Sequence, residues 1–113
     1  MNELVYIAAP YSAVENKDEL MSRVSKFCGE YMIANPGKFA VPGLVHHYAC
    51  KDNPTLGTDY HFWQEFCELF LSRCDRMVVL MIPGWDVSRG VKGEIEYCKQ
   101  HNIPFEFASF NEV

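Results

Sequence analysis

The chain has 113 residues, 49% hydrophobic and 22% charged, a globular composition that excludes extensive disorder and predicts one domain over residues 1–113. Its net charge of −5, with no cluster of Lys or Arg, argues against duplex nucleic acid as a partner, because such binding requires many neutralised phosphates. No apolar run approaches about 18 residues and the N-terminus lacks a signal-peptide pattern, so we expect a cytoplasmic protein that does not associate with membranes.

Strand-like and helix-like segments alternate along the chain. Short apolar runs rich in β-forming residues predict four strands, at residues 4–9, 38–42, 77–82 and 103–107. Apolar residues spaced three and four apart predict three helices, at residues 12–35, 59–74 and 88–101. Residues 43–57 show no periodicity and are predicted to form a long loop, a kind of segment that often binds ligands.

This alternation predicts a small flavodoxin-like α/β fold, a three-layer sandwich around a parallel sheet of four to five strands in the order 2-1-3-4. Ligands bind such sheets beyond the carboxyl ends of the strands, at the point where strand order reverses. The crevice is therefore predicted between the segments after strands one and three, residues 8–12 and 83–94. The candidate substrate contacts in the first segment are Ala8, Ala9, Pro10 and Tyr11.

Glu94 is the first candidate functional residue. The third predicted helix has an apolar stripe formed by Val91, Ile95 and Cys98. Glu94 lies beside this stripe, whereas Glu96 faces the opposite side of the helix. A carboxylate that faces a sheet is costly unless it is paired or faces a cleft. Glu94 is therefore either a residue at the margin of the stripe that reaches solvent or a functional carboxylate in the predicted crevice.

The start of the same helix has features of an anion site. Ser88 is placed to cap the helix, and Gly90 and Gly93 allow a ligand to approach the backbone. The N–H groups at a helix N-terminus suit a phosphate or a sugar hydroxyl, and a capped helix with two tolerated glycines is the structural alternative. Trp85 and Asp86, in the preceding turn, are further candidate binding residues.

Two segments resemble a known family. They are YIAAPY at residues 6–11 and GWDVSRGVKGE at residues 84–94, the second with the pattern G-W-x-x-S-x-G-x-x-x-E. With these motifs the chain resembles the nucleoside 2-deoxyribosyltransferase-like superfamily, in particular a branch found in bacteria and their phages. In motif it is closest to the deoxynucleoside 5′-monophosphate N-glycosidases, and the order of elements agrees over nearly the whole chain.

The resemblance implies a catalytic pair and a substrate class. Glu94 matches the nucleophilic glutamate that attacks the anomeric carbon of a deoxyribosyl group, and Tyr6 matches the tyrosine that positions it. Ser88 matches a phosphate-binding serine, which favours a 5′-monophosphate. The implied activity is that of a retaining N-glycosidase, which cleaves or transfers the base of a 2′-deoxynucleoside 5′-monophosphate through a covalent glutamyl-sugar intermediate and needs no cofactor.

The donor of a proton to the leaving base stays open. The second acid of the family falls near Cys67 in this chain, and Asp59 and Asp86 are alternative donors. His46 and His47, in the predicted long loop, are interpreted as substrate-side residues, with surface histidines as the alternative. We expect no metal site, because the run H-H-x-x-C-x-D lacks the ligand spacing of structural zinc.

Two other functions fit the same pattern. If the crevice has no second acid, the protein would bind a nucleotide without cleaving it, as a sensor or sequestering protein. If the crevice binds no ligand, the protein would be a structural component of an oligomer. A homodimer or larger homo-oligomer is expected, because the apolar face of the second predicted helix exceeds what one sheet face needs. That face comprises Phe62, Trp63, Phe66, Cys67, Phe70, Leu71 and Cys74. Tyr60, Phe62 and Trp63 are interpreted as core or subunit contacts, with a surface on which the base stacks as the alternative.

Overall fold

A computed structural model describes residues 2–11, 14–56 and 60–109. The strands are β1 (Glu3–Ala8), β2 (Lys38–Pro42), β3 (Arg76–Leu80) and β4 (Phe105–Ala108). The helices are α1 (Lys17–Ala34), α2 (His47–Asp52), α3 (Tyr60–Ser72) and α4 (Arg89–His101), with a 3₁₀ turn at Pro54–Leu56. The strands form one parallel sheet in the order β2-β1-β3-β4, so the predicted flavodoxin-like three-layer α/β fold is confirmed.

Side chains of β1 alternate between two cores, one on each face of the sheet. Val5 and Ile7 pack with residues of α1, while Tyr6 and Ala8 pack with residues of α3 and α4. The chain leaves β1 toward β2 and leaves β3 toward β4, so strand order reverses between β1 and β3. The carboxyl ends of these two strands therefore border the crevice. Among the described helices, none is long and apolar enough to cross a membrane.

Several predicted boundaries are wrong. Helix α1 begins at Lys17 rather than at residue 12, because Asn16 has extended backbone and its side chain accepts a hydrogen bond from the Glu19 N–H at 3.0 Å. The predicted loop at 43–57 contains α2 and the 3₁₀ turn, which are too short to produce a readable period. Both ends of β2 and the end of α4 are as predicted, and the remaining ends differ by one or two residues.

The predicted inward face of α3 is also partly wrong. Leu71 and Cys74 are buried, and Trp63, Phe66, Cys67 and Phe70 are partly buried. Phe62, however, is 49% exposed, because it lies in the first turn of α3 at the margin of the apolar stripe.

Candidate functional site

Tyr6 and Glu94 form a hydrogen-bonded pair between the sheet and α4. The Tyr6 hydroxyl donates to Oε2 of Glu94. Tyr6 is fully buried in β1, and Glu94 is partly buried in the second turn of α4. Because β1 and the helix after β3 border the point where strand order reverses, the pair lies at the predicted crevice. Glu94 thus faces inward, as the helical period predicts, and Glu96 is exposed.

The environment of this pair changes the acidity of both groups. Although Glu94 keeps some exposed surface, protein atoms around its carboxyl exclude solvent, and this burial raises its pKa to about 7 against the opposing effect of the Tyr6 hydrogen bond. Burial, and next the charge on Glu94, raise the pKa of Tyr6 well above 10, so the phenol keeps its proton and donates it. A carboxylate with a pKa near neutrality is suited to act as a base or nucleophile.

The thiol of Cys67, on α3, is the third group at the pair. Burial, and next the charge on Glu94, raise the pKa of Cys67 to about 11, while its hydrogen bond with Tyr6 lowers it. The thiol is therefore protonated and uncharged at neutral pH. The position at which the resemblance implies a second acid holds a much weaker acid than a carboxyl group.

Gly43 determines whether Tyr6 can reach Glu94. It follows β2, where its N–H donates to the Ile7 carbonyl at 2.9 Å. A Cβ atom on Gly43 would overlap Oη and Cζ of Tyr6 and would lie 2.8 Å from its Cε1. A residue without a side chain is needed here. The sequence did not reveal this role, because Pro42-Gly43 has the appearance of an ordinary turn.

The first turn of α4 is uncrowded at Gly90, which is exposed. Ser88 caps the helix, its Oγ accepting from the Val91 N–H at 3.3 Å. The N–H of Gly90 lies in the first turn, where a helix offers no acceptor. A Cβ on Gly90 would meet only Ser88 Oγ, at 3.9 Å. Gly90 and Glu94 are four residues apart and therefore on the same face of α4, so N–H groups that favour anions lie one helical turn from Glu94.

A row of aromatic rings, here called the aromatic row, leads from Tyr6 to the segment after β2. It consists of Phe70, Phe66, Trp63 and His46, all partly exposed. Ring centroids are 5.2 Å apart for Tyr6 and Phe70, 6.1 Å for Phe70 and Phe66, and 5.6 Å for Phe66 and Trp63. The His46 ring stacks on Trp63 at 4.4 Å. A partly exposed surface of this kind suits a flat aromatic ligand.

His46 and His47, though adjacent, have different surroundings. Burial lowers the pKa of His46, and within the described part of the chain its buried Nδ1 makes no hydrogen bond of ordinary geometry. His47 is 5% exposed, and its Nδ1 lies 2.8 Å from the Tyr11 hydroxyl. Across the described ranges, no three His, Cys, Asp or Glu side chains are grouped to hold a metal ion.

The remaining described candidates lie at the end of β1 and in the turn after β3. Ala8, Ala9 and Pro10 are buried where β1 ends. Trp85 packs on Phe107 of β4, with ring centroids 5.3 Å apart. Asp86 is exposed, and Asp59 lies outside the described residues.

Comparison with known proteins identifies the family of this chain. The sequence model of the family described as Domain of unknown function (DUF1937) matches residues 3–108. The match extends from β1 to β4 and therefore includes both Tyr6 and Glu94. A search of curated proteins gave no match.

Proposed function

Because the chain belongs to the family described as Domain of unknown function (DUF1937), which names no activity, we propose its function from the chemistry of the site. The protein is proposed to be a retaining N-glycosidase that hydrolyses a 2′-deoxynucleoside 5′-monophosphate, or transfers its sugar. The observation that supports this most is the Tyr6–Glu94 pair, a carboxylate that is held by a tyrosine hydroxyl and has a pKa of about 7.

In this proposal Glu94 is the nucleophile. Cleavage of an N-glycosidic bond develops positive charge on the sugar, which an ionised carboxylate stabilises before it bonds to the anomeric carbon. The hydroxyl of Tyr6 holds Oε2 of Glu94 and leaves the other oxygen for the sugar. Water then cleaves the glutamyl ester and releases 2-deoxyribose 5-phosphate. A second base in place of water would make the same intermediate into a transfer reaction.

The phosphate, the sugar and the base of the substrate bind at three successive positions along the crevice. The 5′-phosphate binds at the first turn of α4, near Ser88 and the N–H of Gly90. The sugar lies over Glu94, one helical turn or about 5.4 Å further along. The base stacks on the aromatic row, which begins beside Tyr6.

The proposal is tested with the wild-type protein and the common 2′-deoxynucleoside 5′-monophosphates, with the matching nucleosides and ribonucleotides as controls. Free base and 2-deoxyribose 5-phosphate, separated by chromatography, are expected from at least one monophosphate. The nucleosides are expected to react more slowly, because they lack the phosphate. Absence of base release from every compound, at concentrations that saturate binding, would contradict the proposed activity.

Ser88→Ala is expected to weaken binding of a 5′-monophosphate but not of the matching nucleoside. Loss of a hydrogen bond to a charged group corresponds to about a tenfold or larger rise in KM. Loss of the helix cap costs about 1 kcal/mol of stability as well. Asn16→Ala, which removes the cap of α1, is therefore the matched control, since its stability falls without a change in KM. Equal effects of Ser88→Ala on both substrates would exclude a phosphate site at Ser88.

One observation favours a second function, a protein that binds the nucleotide without cleaving it. The group beside Tyr6 and Glu94 on α3 is the neutral thiol of Cys67 and not a carboxylic acid. A site that does not protonate the leaving base would retain an intact nucleotide. Calorimetric binding of a deoxynucleotide, with no base release over many hours, would favour this function over the glycosidase.

A further inference from the structure

Tyr11, His47 and Asp18 form a chain of hydroxyl, imidazole and carboxylate. The Tyr11 Oη and His47 Nδ1 atoms are 2.8 Å apart, and His47 Nε2 and Asp18 Oδ1 are also 2.8 Å apart. His47 is buried, and both of its ring nitrogens have hydrogen-bond partners within the protein. Such a chain orients an imidazole and allows a proton to pass between its two ends.

The outer end of this chain reaches solvent. Asp18 is half exposed and also accepts a hydrogen bond from Lys51 Nζ at 2.6 Å. An open cleft of about 540 Å³ is lined by Asp18, His47 and Lys51 together with Glu15, Asn16 and Lys17. Hydrogen bonds from His47 and Lys51 lower the pKa of Asp18, so this carboxylate stays ionised and accepts a hydrogen bond from His47 Nε2.

The inner end of this hydrogen-bonded chain, Tyr11, borders the aromatic row at its His46 end. The Tyr11 ring is 5.7 Å from the His46 ring, which belongs to the aromatic row. Gly43 packs against Tyr6 and is only three residues before His46, so one short segment contacts both hydrogen-bonded groups. Burial, followed by the charges of Cys50 and Asp18, raises the pKa of Tyr11, so the resting hydroxyl keeps its proton.

We propose that the Tyr11 hydroxyl donates a proton to the leaving nucleobase and that His47 and Asp18 resupply this proton from solvent. This inference rests on the proposed function. It identifies the residue that donates a proton to the leaving base, a role that the proposed function leaves unassigned. A Glu94 oxygen bonds to C1′, the C1′–N bond breaks with its electron pair moving to the base nitrogen, and that base receives the Tyr11 proton. His47 then passes a proton to the Tyr11 oxygen and receives another from the cleft that Asp18 lines. The water that cleaves the glutamyl ester returns a proton to the hydrogen-bonded groups Tyr11, His47 and Asp18.

Tyr11 is thus a catalytic residue, while His47 and Asp18 are positioning residues. A purely structural role is the competing explanation, because the same hydrogen bonds fasten α2 to the start of α1. The two explanations differ in one respect. Proton donation matters only for a leaving group that needs a proton, whereas a structural role affects every substrate equally.

The test compares Tyr11→Phe and wild type on two substrates. One is a natural deoxynucleotide, and the other is 4-nitrophenyl 2-deoxyriboside 5-phosphate, whose leaving group departs as a stable anion. Release of the natural base is expected to fall about 100-fold or more, while release of nitrophenolate stays within about threefold. Tyr48→Phe, an exposed tyrosine on α2, is the control and is expected to change neither rate.

The outcomes separate this inference from the proposed function. Equal losses on both substrates, or an undiminished natural reaction in Tyr11→Phe, would overturn the proton-donor role and leave the glycosidase intact. Failure of the wild type to cleave either substrate would overturn both. Asp18→Asn keeps an oxygen for His47 but removes the charge, and it is expected to show the same selective loss at a smaller magnitude.

Discussion

Glu94→Gln is expected to lower base release at least about 1,000-fold, since loss of a catalytic nucleophile commonly costs ~10³–10⁶ in rate. The amide keeps the size of the side chain and an oxygen that accepts the Tyr6 hydrogen bond, but it cannot form the covalent sugar ester. Single-turnover base release measures the loss, and calorimetry with the same nucleotide checks that binding persists. Glu96→Gln, on the exposed side of α4, is the matched control. Base release that survives in Glu94→Gln would remove Glu94 from the mechanism.

The same substitution is expected to stabilise the protein at high pH. Burial raises the pKa of Glu94 from its ordinary 4.5 to about 7, so between these values the folded protein binds a proton that the unfolded chain has released. Folding stability therefore falls as pH rises through this window, by up to about 3 kcal/mol, because one pKa unit corresponds to about 1.4 kcal/mol. Glutamine does not ionise and avoids this loss.

Urea unfolding at pH 5 and pH 8 measures the effect. The stability of Glu94→Gln relative to wild type is expected to be greater at pH 8 than at pH 5. A wild type that gains stability relative to Glu94→Gln as pH rises would contradict the raised pKa. Lost activity together with gained stability would also exclude unfolding as the cause of inactivity.

Gly43→Ala is expected to disrupt the site and the fold together. The new methyl group would overlap the Tyr6 ring, which is fully buried and has no room to withdraw without leaving Glu94. Overpacking of this kind costs about 1–3 kcal/mol. Base release is expected to fall with it, because the displaced tyrosine no longer holds the Glu94 carboxylate.

Thermal unfolding and base release of Gly43→Ala are measured beside Gly29→Ala. A Cβ on Gly29, in α1, would meet no atom within 4 Å, so alanine there is expected to stabilise the helix by about 0.5–1 kcal/mol. A Gly43→Ala protein as stable and as active as wild type would show that the segment after β2 moves aside and that Gly43 does not position Tyr6.

The sheet and the orientation of Glu94 were predictable from sequence, because both depend on local periodicity. Alternating strands and helices allow few topologies, and right-handed crossovers select one of them. The helical period of α4 places Glu94 inward and Glu96 outward without any tertiary information. The alternation of strands and helices and the period of α4 are both visible in the sequence, and they predict these two features.

Contacts between segments that are far apart in the sequence produce no periodic pattern from which they could be predicted. The approach of Gly43 to Tyr6 depends on how the segment after β2 crosses β1, and no local period records it. Asp18 and His47 are 29 residues apart, and neither neighbourhood indicates the other. The aromatic residues of α3 look like core from their spacing, and only tertiary packing leaves Trp63 partly exposed.

The central claim, that Glu94 bonds covalently to the sugar, is tested most directly with a 2′-fluoro-2′-deoxynucleoside 5′-monophosphate. The fluorine slows both steps by opposing positive charge on the sugar, so an intermediate accumulates. Intact-mass measurement followed by peptide mapping is expected to show one fluorodeoxyribosyl phosphate group on Glu94, with one equivalent of free base released. Release of base with no label on Glu94, or a label on another residue, would contradict the account.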